Sequence, residues 1–406
     1  MCALFQICTR KVTKALIYHH HHRHGGSVHT WERIRHVLDL ILHWIRSNVV
    51  LTVAIVLAVV TSFIVPPDAL YAGYFDWKTL TCLFATLAVV CALKNIKFFT
   101  ILARKIVDCT GNLRMAVIAL VYVTFIGSML ISNDMALLTF LPLGYFVLSS
   151  TGEQKHMAFV FIMQNIAANL GGMLTPFGNP QNLYLYSKFN IPTGEFMQIM
   201  LIPFLASIAM ITICCLFLPR EKLTIAEECP YRLPPARTAA YLVLFVLSIV
   251  IVFRLIPYLI GLAIIAVSLF FLDRKALKQV DYALLATFFC FFIFAGNMAR
   301  IPAVSELFSS LLEKNTLIVS ILSCQVISNV PSAILLSQFT ADYPALLLGV
   351  NIGGTGTLIA SLASLISFRE YTAHNPEKAG SYLLKFSAYN FGFVIVLTAL
   401  CFFVLV

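Results

Sequence analysis

The clearest chemistry in this sequence belongs to Asp134, a carboxylate that follows Ser132 and Asn133 inside the apolar stretch 113–150. An ionised carboxylate deep in a membrane costs roughly 2.5–3.5 kcal/mol on insertion scales. It is retained where it binds a cation, exchanges a proton or pairs with a base. A helix N-cap is the alternative for an aspartate at this place. We favour a role in ion coupling, with a proton or sodium as the coupling ion and no other cofactor.

A second polar cluster interrupts the apolar stretch 157–188. Two prolines and three glycines between Asn169 and Asn182 break the helical hydrogen-bond ladder in the middle of this stretch. Because a simple kink needs one proline and no amides, we expect an unwound segment that binds an ion or substrate. Its candidate ligands are Thr175, Pro176, Gly178, Asn179 and Asn182.

The same residue types return in the second half of the sequence. Ser328 and Asn329 repeat the Ser-Asn pair, and Val330 stands where Asp134 stands in the first half. We therefore expect one ionisable coupling site, with the other half binding through hydroxyls, amides and helix N-termini. The further candidate ligands in this half are Gly354, Thr355 and Thr357.

The composition indicates that these residues lie in a lipid environment. Hydrophobic residues make up 60% of 406 positions and charged residues 11%, against about 25% charged in ordinary soluble domains. The net charge of +10 comes from basic residues in short stretches between apolar runs, a pattern typical of membrane proteins rather than nucleic-acid-binding proteins. The sequence has no phosphate-loop motif and no H-E-x-x-H motif. The expected partners are a small anion and the lipid bilayer, without nucleic acid, ATP or enzymatic activity.

The apolar pattern predicts an all-α polytopic membrane protein with about nine full crossings. Two further apolar stretches, 113–150 and 316–340, are split by polar clusters. The arms beside Ser328 have roughly ten to thirteen residues, too few for a bilayer core of about 30 Å. We therefore expect a re-entrant helical hairpin in each half, with interrupted helices at the midplane. The predicted crossings are 48–65, 77–94, 157–188, 194–218, 238–253, 257–272, 281–297, 344–368 and 381–406.

Charge asymmetry predicts the orientation of the chain. Residues 1–46 read as a basic cytoplasmic tail, in which 31–46 has the pattern of an amphipathic helix on the membrane surface. The histidine-rich run of this tail is interpreted as solvated rather than metal-binding. Two transmembrane repeats, 47–218 and 238–406, follow and are joined by the cytoplasmic linker 219–237. Basic residues concentrate in the segments placed inside the cell, the last of which holds Arg369 and Lys378. We therefore expect a cell (inner) membrane protein with a cytoplasmic N-terminus and an external C-terminus. The segments placed outside, 66–76, 189–193, 254–256 and 298–315, carry few cations.

Three landmarks occur twice, in the same order. The first is an acidic residue followed by an aromatic residue, at Asp76 and again at Asp281. An odd number of predicted crossings separates these two acid-aromatic pairs, so we expect the halves to be inverted. Inverted repeats with broken helices are typical of secondary transporters, although duplicated membrane domains also occur in channels. The spacing between the two copies shortens from the first landmark to the third, so the second half has shorter connections. The landmarks start at Asp76 and Asp281, at Ser132 and Ser328, and at Asn169 and Asn351.

Four segments resemble the ion transporter superfamily, which includes divalent anion–sodium symporters, citrate transporters, arsenite permeases and one class of sodium–proton antiporters. The resemblance covers about residues 48–406, and the Asn-Asp tip is closest to the small bacterial anion permeases and arsenite permeases. It implies a homodimer that works by an elevator-like movement. The segments are SNDMALLTFLPL at 132–143, NLGGMLTPFGNPQNL at 169–183, SNVPSA at 328–333 and NIGGTGT at 351–357.

The symporter branch of this superfamily holds sodium at hairpin tips that read Ser-Asn-Thr, with the substrate between the tips. Here the third tip position is Asp134 in one half and Val330 in the other. The sodium ligands that the resemblance implies are Ser132, Asn133, Asp134, Ser328 and Asn329.

These observations predict a proton- or sodium-coupled carrier of a small anion that binds between two half-sites. Citrate-like carboxylates and arsenite-like oxyanions are the substrate candidates. A sodium/proton antiporter that uses Asp134 is the main alternative, and an ion channel is a weaker one. An intramembrane enzyme would need a second buried acid or a histidine beside Asp134, and the sequence offers neither.

Overall fold

The computed structural model describes residues 28–405, and the predicted histidine-rich run before Val28 lies outside them. The chain packs as two units, one ending at Val53 and one beginning at Ala54. Regular structure in the described residues is helical, apart from an isolated β-bridge between Asn112 and Lys222. The predicted all-α class is therefore confirmed.

The amphipathic helix predicted over 31–46 is present as α1, Val28–Ser47. Apolar side chains such as Ile34 and Leu38 are exposed along it. The helix ends where the Asn48 side chain donates to the Trp44 carbonyl at 3.1 Å. The next helix, α2, begins after Asn48 and spans Val49–Ile64, so the surface helix and the following apolar helix are separate elements.

The helices that carry the first polar clusters follow a short 3₁₀ turn, Ala69–Tyr74. Among them α7 is buried along almost its whole length. They are α3 Trp77–Asn95, α4 Phe98–Asp108, α5 Leu113–Ile131, α6 Asn133–Ser150, α7 Met157–Gly171, α8 Pro180–Lys188 and α9 Thr193–Leu216.

Three helices connect this part of the chain to the second set of polar clusters: α10 Pro235–Val252, α11 Tyr258–Leu272 and α12 Arg274–Gln279. The helices of the second set are α13 Tyr282–Ala299, α14 Pro302–Ile327, α15 Asn329–Leu336, α16 Tyr343–Ile352, α17 Leu362–His374 and α18 Ala379–Leu400.

The two acid-aromatic pairs mark helix starts for the same physical reason. The Asp76 carboxylate accepts a hydrogen bond from the Thr79 amide at 3.0 Å, and the Asp281 carboxylate accepts one from the Leu284 amide at 3.0 Å. Each acid thus satisfies a backbone donor that the first helical turn leaves unpaired. The first landmark is therefore an N-cap at the start of α3 and of α13.

The described residues contain seven helices long and apolar enough to cross a membrane, and up to eight if α1 and α2 form one bent span. This count confirms a polytopic membrane protein but differs in detail from the nine predicted crossings. Two predicted crossings, 157–188 and 344–368, are each built from two short helices separated by a break. Conversely, α5 has 19 residues and α14 has 26, so both pass the length test although they contain predicted hairpin arms.

One segment that was predicted to lie outside the membrane, 298–315, is largely helical. The helix α14 begins at Pro302 and continues through it. Its backbone leaves the helical region at Asn315, where φ is −163° and ψ is 94°. The Asn315 side chain accepts a hydrogen bond from the Ile318 amide at 3.0 Å and thereby caps the second part of the helix.

Candidate functional site

The two predicted hairpin tips have the same backbone conformation. Ser132 joins α5 to α6 with φ 82° and ψ 160°, and Ser328 joins α14 to α15 with φ 80° and ψ 165°. A positive φ is uncommon for a residue other than glycine and costs roughly 1–3 kcal/mol. The same strained geometry at the second landmark of each half indicates that the tip is held by the structure around it.

The residue after each tip serine folds back onto its own turn. The Asn133 side-chain oxygen accepts a hydrogen bond from the Asp134 amide at 2.9 Å. The Asn329 side-chain oxygen accepts one from the Val330 amide at the same distance. These bonds satisfy one amide at the start of α6 and one at the start of α15, and they leave the two side-chain NH₂ groups to donate elsewhere.

Each polar break lies between two helices whose ends correspond across the halves. In the first half α7 ends at Gly171 and α8 begins at Pro180, and in the second half α16 ends at Ile352 and α17 begins at Leu362. Asn179 caps α8 by accepting from the Asn182 amide at 2.9 Å. In the second half Ser361 caps α17 in the same way, by accepting from the Ala363 amide at 3.2 Å.

The side chain of Asn351 is held by the first half of the molecule. Its oxygen accepts a hydrogen bond from the side-chain NH₂ of Asn179 at 3.2 Å, and its NH₂ donates to the Asn182 side-chain oxygen at 2.6 Å. All three side chains are buried. The break of the first half and the helix before the break of the second half therefore share one hydrogen-bonded cluster.

The side chain of Asn169 is held in the same way by the second half. The Ser361 hydroxyl donates to the Asn169 oxygen at 2.7 Å, and the Asn169 NH₂ donates to the Ser364 hydroxyl at 3.4 Å. Each asparagine thus receives a corresponding pair of partners from the other half. The two asparagines and their corresponding partners are separated by the same number of positions in the sequence. The corresponding residues are Asn169 and Asn351, Asn179 and Ser361, and Asn182 and Ser364.

The first predicted hairpin tip joins the hydrogen-bonded group of Asn169 through Asn133. We call the Asn169 and Asn351 groups together the amide cluster. The NH₂ group of Asn133 lies 3.3 Å from the Asn169 oxygen and 3.5 Å from the Ser361 hydroxyl. The second tip instead contacts the break of its own half, because the Asn329 amide donates to the Ala360 carbonyl at 3.0 Å. The structure therefore brings Asn133, Asn179 and Asn182 together with residues of the second half, whereas Ser328 and Asn329 bond within their own half.

The predicted carboxylate, Asp134, is half-buried in the first turn of α6. One of its oxygens, Oδ1, is inaccessible and has no hydrogen-bond partner among the described residues. The interpretation of Asp134 as an N-cap is wrong, because the hydroxyl of Ser132 accepts the capping bond from the Met135 amide at 3.4 Å. The carboxylate therefore has an oxygen free for a proton or a cation.

The other candidates of the first break are held by close backbone packing. The Thr175 hydroxyl donates to the Met129 carbonyl at 3.1 Å. A Cβ on Gly178 would lie 2.4 Å from the Gly172 carbonyl oxygen, so only glycine fits there. Pro176 lies between them in the same non-helical segment.

The second break is organised by Gln325, which sequence reasoning missed. Its NH₂ group donates to the carbonyls of Gly353 and Thr355 at 2.9 and 3.1 Å. Its oxygen accepts from the Thr357 amide at 2.9 Å. The predicted ligands Thr355 and Thr357 therefore bond to neighbouring backbone, and Gly354 packs beside the Asn329 amide group, which would lie 3.2 Å from a Cβ there.

Comparison with known proteins identifies the family. The family model of the citrate transporters matches residues 37–345. The chain belongs to the citrate transporter family. This match includes Ser132, Ser328 and the first break, and it ends before the second break begins at Gly353.

Relatives of this citrate transporter family member carry transporter or membrane-protein names. An uncharacterized transporter of Methanocaldococcus jannaschii is 32% identical over 310 residues, 76% of this chain and 84% of that protein. The inner membrane protein YbiR of Escherichia coli is 29% identical over 318 residues, with the same shares. The silicon efflux transporter LSI3 of Oryza sativa is 33% identical over 157 residues, 38% of this chain and 32% of that protein. The protein is therefore a membrane transporter.

Proposed function

We propose that this protein is a secondary active transporter that moves a small anion, coupled to protons or sodium, between two inverted half-sites. The observation that carries the proposal is the exchanged pairing of Asn169 and Asn351, each held by the other half at matching positions. Such an arrangement is expected when two repeats related by a pseudo-two-fold axis meet at a shared site.

The helix starts around this cluster support an anionic substrate. The helices α6, α8, α15 and α17 begin at Asn133, Pro180, Asn329 and Leu362, next to the tips and breaks described above. A helix N-terminus presents unpaired amides and a positive dipole end, which favour a negative group. In the proposed mechanism the anion binds between the tip and break of one half and those of the other.

Asp134 is the proposed coupling group. Its partnerless Oδ1 takes a proton, or together with the oxygens of Ser132 and Asn133 it binds sodium. In the sodium form of the proposal, Ser328 and Asn329 contribute the corresponding oxygens of the second tip. Since Val330 replaces the acid in that half, coupling resides mainly in the first half.

The family and the site support a proposed substrate class. The matching family is named for citrate, and a relative is named for silicon efflux. We propose a citrate-like carboxylate as the first candidate and an arsenite-like oxyanion as the second. Both are small enough to bind between neutral amides and helix N-termini, and both fit a site with one acid.

A sodium/proton antiporter is the second candidate function. It is favoured by one observation, the carboxylate oxygen of Asp134 that has no protein partner among the described residues. In that case Asp134 exchanges cations alone, and the amide cluster around Asn169 and Asn351 has a structural role only.

Transport assays in proteoliposomes test the proposal. We expect uptake of labelled citrate or arsenite driven by a proton or sodium gradient, and we expect Asp134→Asn to abolish the dependence on that gradient while anion binding persists. Glu306→Gln, a change of an exposed acid at the start of α14, is the matched control. Sodium-driven pH change without any anion identifies the antiporter, and undiminished gradient-dependent transport by Asp134→Asn contradicts the coupling role.

The remaining expectations belong to the same proposal. They are inverted repeats at 47–218 and 238–406, re-entrant hairpins at the two tips, a homodimer, and a cell membrane location with the N-terminus in the cytoplasm. The proposal also places the linker 219–237 on the cytoplasmic side, where the basic residues concentrate.

A further inference from the structure

A cavity of about 700 Å³ lies beside the α6 helix, away from the amide cluster. It is bounded by the end of α3, by α4, by one face of α6 and by linker residues 227–231. We call it the linker cavity. A volume of this size is in the range of small-molecule sites, and its walls include Lys94, Lys97, Arg104, Pro142, Glu227 and Tyr231.

The linker is fixed across this cavity by contacts along its length. The Leu113 amide donates to the Glu221 carbonyl at 2.8 Å, and the Leu223 amide donates to the Gly111 carbonyl at 3.2 Å. Further along, the buried Arg104 donates to the Glu227 carbonyl. The linker residues that line the cavity, 227–231, begin at this last attachment and are largely exposed.

The cations of the cavity are unequally compensated. Arg104 pairs with Asp108 at 2.8 Å and lies over the Phe146 ring at 4.7 Å. Lys94 and Lys97 have no carboxylate within ion-pair distance in the part of the chain that the structure describes. Two ammonium groups without acidic partners, at the edge of a cavity with low-dielectric walls, attract an anion.

The α6 face of the cavity leads toward the proposed coupling group. Leu138 and Pro142 line the cavity one helical turn apart, and Asp134 lies one turn before Leu138 on the same face. Pro142 has no amide hydrogen, so the Leu138 carbonyl lacks its usual donor within the helix. The helix face that lines the cavity therefore extends to Asp134.

We propose that the linker cavity is a second anion site, at which Lys94 and Lys97 bind a small carboxylate before it reaches the amide cluster. The linker acids Glu227 and Glu228 line the same cavity and compete with the carboxylate for these lysines. The assignment of an entry role rests on the proposed function, while binding itself does not depend on transport.

A native thiol reports on this cavity. Cys229 is a free, half-buried cysteine in its wall, and Cys109 is a free, exposed cysteine outside it. The full-length protein in detergent is alkylated with N-ethylmaleimide in the presence of increasing citrate, and modification of each cysteine is measured by mass spectrometry. We expect citrate to slow alkylation of Cys229 and to leave Cys109 unchanged, at constant ionic strength set with chloride.

Variants test whether the two lysines bind the citrate that protects Cys229 from alkylation. We expect Lys94→Gln with Lys97→Gln to need about tenfold more citrate for half-protection, because the site loses two positive charges close to the bound anion. Lys105→Gln, a change of an exposed lysine on α4 outside the cavity, serves as the control and should match the parent. Glu227→Gln with Glu228→Gln should need about fivefold to tenfold less citrate, because two competing carboxylates are removed.

Three results would overturn the proposal: no protection of Cys229 by citrate, equal protection in the double-lysine variant, or equal protection by chloride alone. The test is separable from the proposed function. Loss of citrate transport with retained, lysine-dependent protection of Cys229 supports the site and contradicts transport, whereas transport without protection contradicts the site only.

Discussion

Asn169 and Asn351 show why amides suit the centre of this molecule. Each side chain offers a donor and an acceptor without a net charge, so it joins two partners of the other half at no Born cost. A buried polar group that loses its partner costs roughly 1–3 kcal/mol. The matched pairs therefore hold the two halves in one register while they keep the site neutral except at Asp134.

Replacing Asn351 by alanine tests this account. The change leaves the Asn179 NH₂ and the Asn182 oxygen without the bonds they make to Asn351, so we expect the free energy of unfolding to fall by about 1–3 kcal/mol and transport to be lost. Thermal unfolding in detergent measures the first effect. Asn390→Ala is the control, since the buried Asn390 donates to the Phe386 carbonyl of its own helix. Equal melting temperatures for the parent and Asn351→Ala would contradict the account.

The residue-scale predictions from sequence succeeded where a side chain was rare in its surroundings. Asp134 and the asparagines of the first break stood out from apolar neighbours. In the structure Asn133 bonds to Ser361, and Asn179 and Asn182 bond to Asn351, so all three contact the second half. Ser361 was missed because a serine in an apolar stretch of sequence is ordinary. The sequence did contain a signal. The number of residues from Asn169 to Asn351, added to positions 179 and 182, gives Ser361 and Ser364.

An ion pair outside the apolar helices gives a prediction on pH. Arg300 donates from both terminal nitrogens to Asp68, at 2.6 and 3.0 Å, and this holds the pKa of the Asp68 carboxyl below its usual value of 3.8. A lowered pKa in the folded state means that the pair stabilises the protein at neutral pH and loses this contribution as the pH falls through the lowered pKa.

We expect Arg300→Gln to lower the melting temperature by a constant amount above about pH 4.5, and we expect the difference from the parent to shrink below it. Melting temperatures from pH 3 to pH 7 in detergent check this. Arg232→Gln, which changes an exposed linker arginine, is the control. Its melting-temperature difference from the parent should not change with pH in this way. A difference that grows toward low pH would be the wrong sign for this pair.

At the scale of helices, two close approaches correspond between the halves. A Cβ on Gly171 of α7 would lie 2.5 Å from the Ser128 hydroxyl oxygen of α5, and a Cβ on Gly353, just after α16, would lie 2.8 Å from Cys324 Cβ of α14. Gly171 and Gly353 are as far apart in the sequence as Asn169 and Asn351. Ser128 and Cys324 are as far apart as Ser132 and Ser328. The helix before each break thus packs on α5 or α14, the helix before the tip serine of its own half, without room for a side chain.

Gly171→Ala should therefore destabilise the protein. The added methyl would also lie 2.2 Å from the Phe125 carbonyl oxygen, so α5 and α7 must separate, at a cost of about 1–3 kcal/mol. Gly194→Ala is the control, because Gly194 is in the first turn of α9 and a Cβ there would have nothing within 4 Å. Thermal unfolding of both variants measures the effect, and a Gly171→Ala protein as stable as Gly194→Ala would refute the packing argument.

Helix starts and breaks were predictable, and helix lengths were less so. The acid-aromatic pairs at Asp76 and Asp281 marked two helix starts where the structure has them. The acids cap these helices, and capping is a local interaction of a side chain with the next turn. The helix over most of 298–315 was not predicted, because the segment mixes polar and apolar residues; that helix is interrupted only at Asn315. A pattern of this kind does not separate an exposed helix from a loop.

At the scale of the whole molecule, the described chain holds two sets of elements in the same order. Each set has a long helix, a pair joined at a serine with positive φ, a helix that ends before a polar break, and a final long helix. The crossed pairing of Asn169 and Asn351 supports the proposed inversion. The order of the elements follows directly from the sequence, whereas their expected direction rests on the predicted number of crossings. Direction depends on how many helices cross the bilayer between the two sets.

Corresponding loops therefore provide the decisive prediction. The α8–α9 connection carries the exposed Asn190, and the α17–α18 connection carries the exposed Glu377. If the halves are inverted, these loops face opposite sides of the membrane. In a cysteine-free background, we expect Asn190→Cys to react with a membrane-impermeant maleimide in intact cells, because positive-inside asymmetry places it outside.

Glu377→Cys should react with the same reagent only after the membrane is permeabilised, since its loop lies in the predicted cytoplasmic segment that also holds Arg369 and Lys378. The reaction of Glu377→Cys in permeabilised cells controls for its accessibility. Labelling of both positions from the same side would mean that the two sets run parallel. The crossed amide pairs would then need a different geometric origin, and a substrate path between inverted half-sites would be excluded.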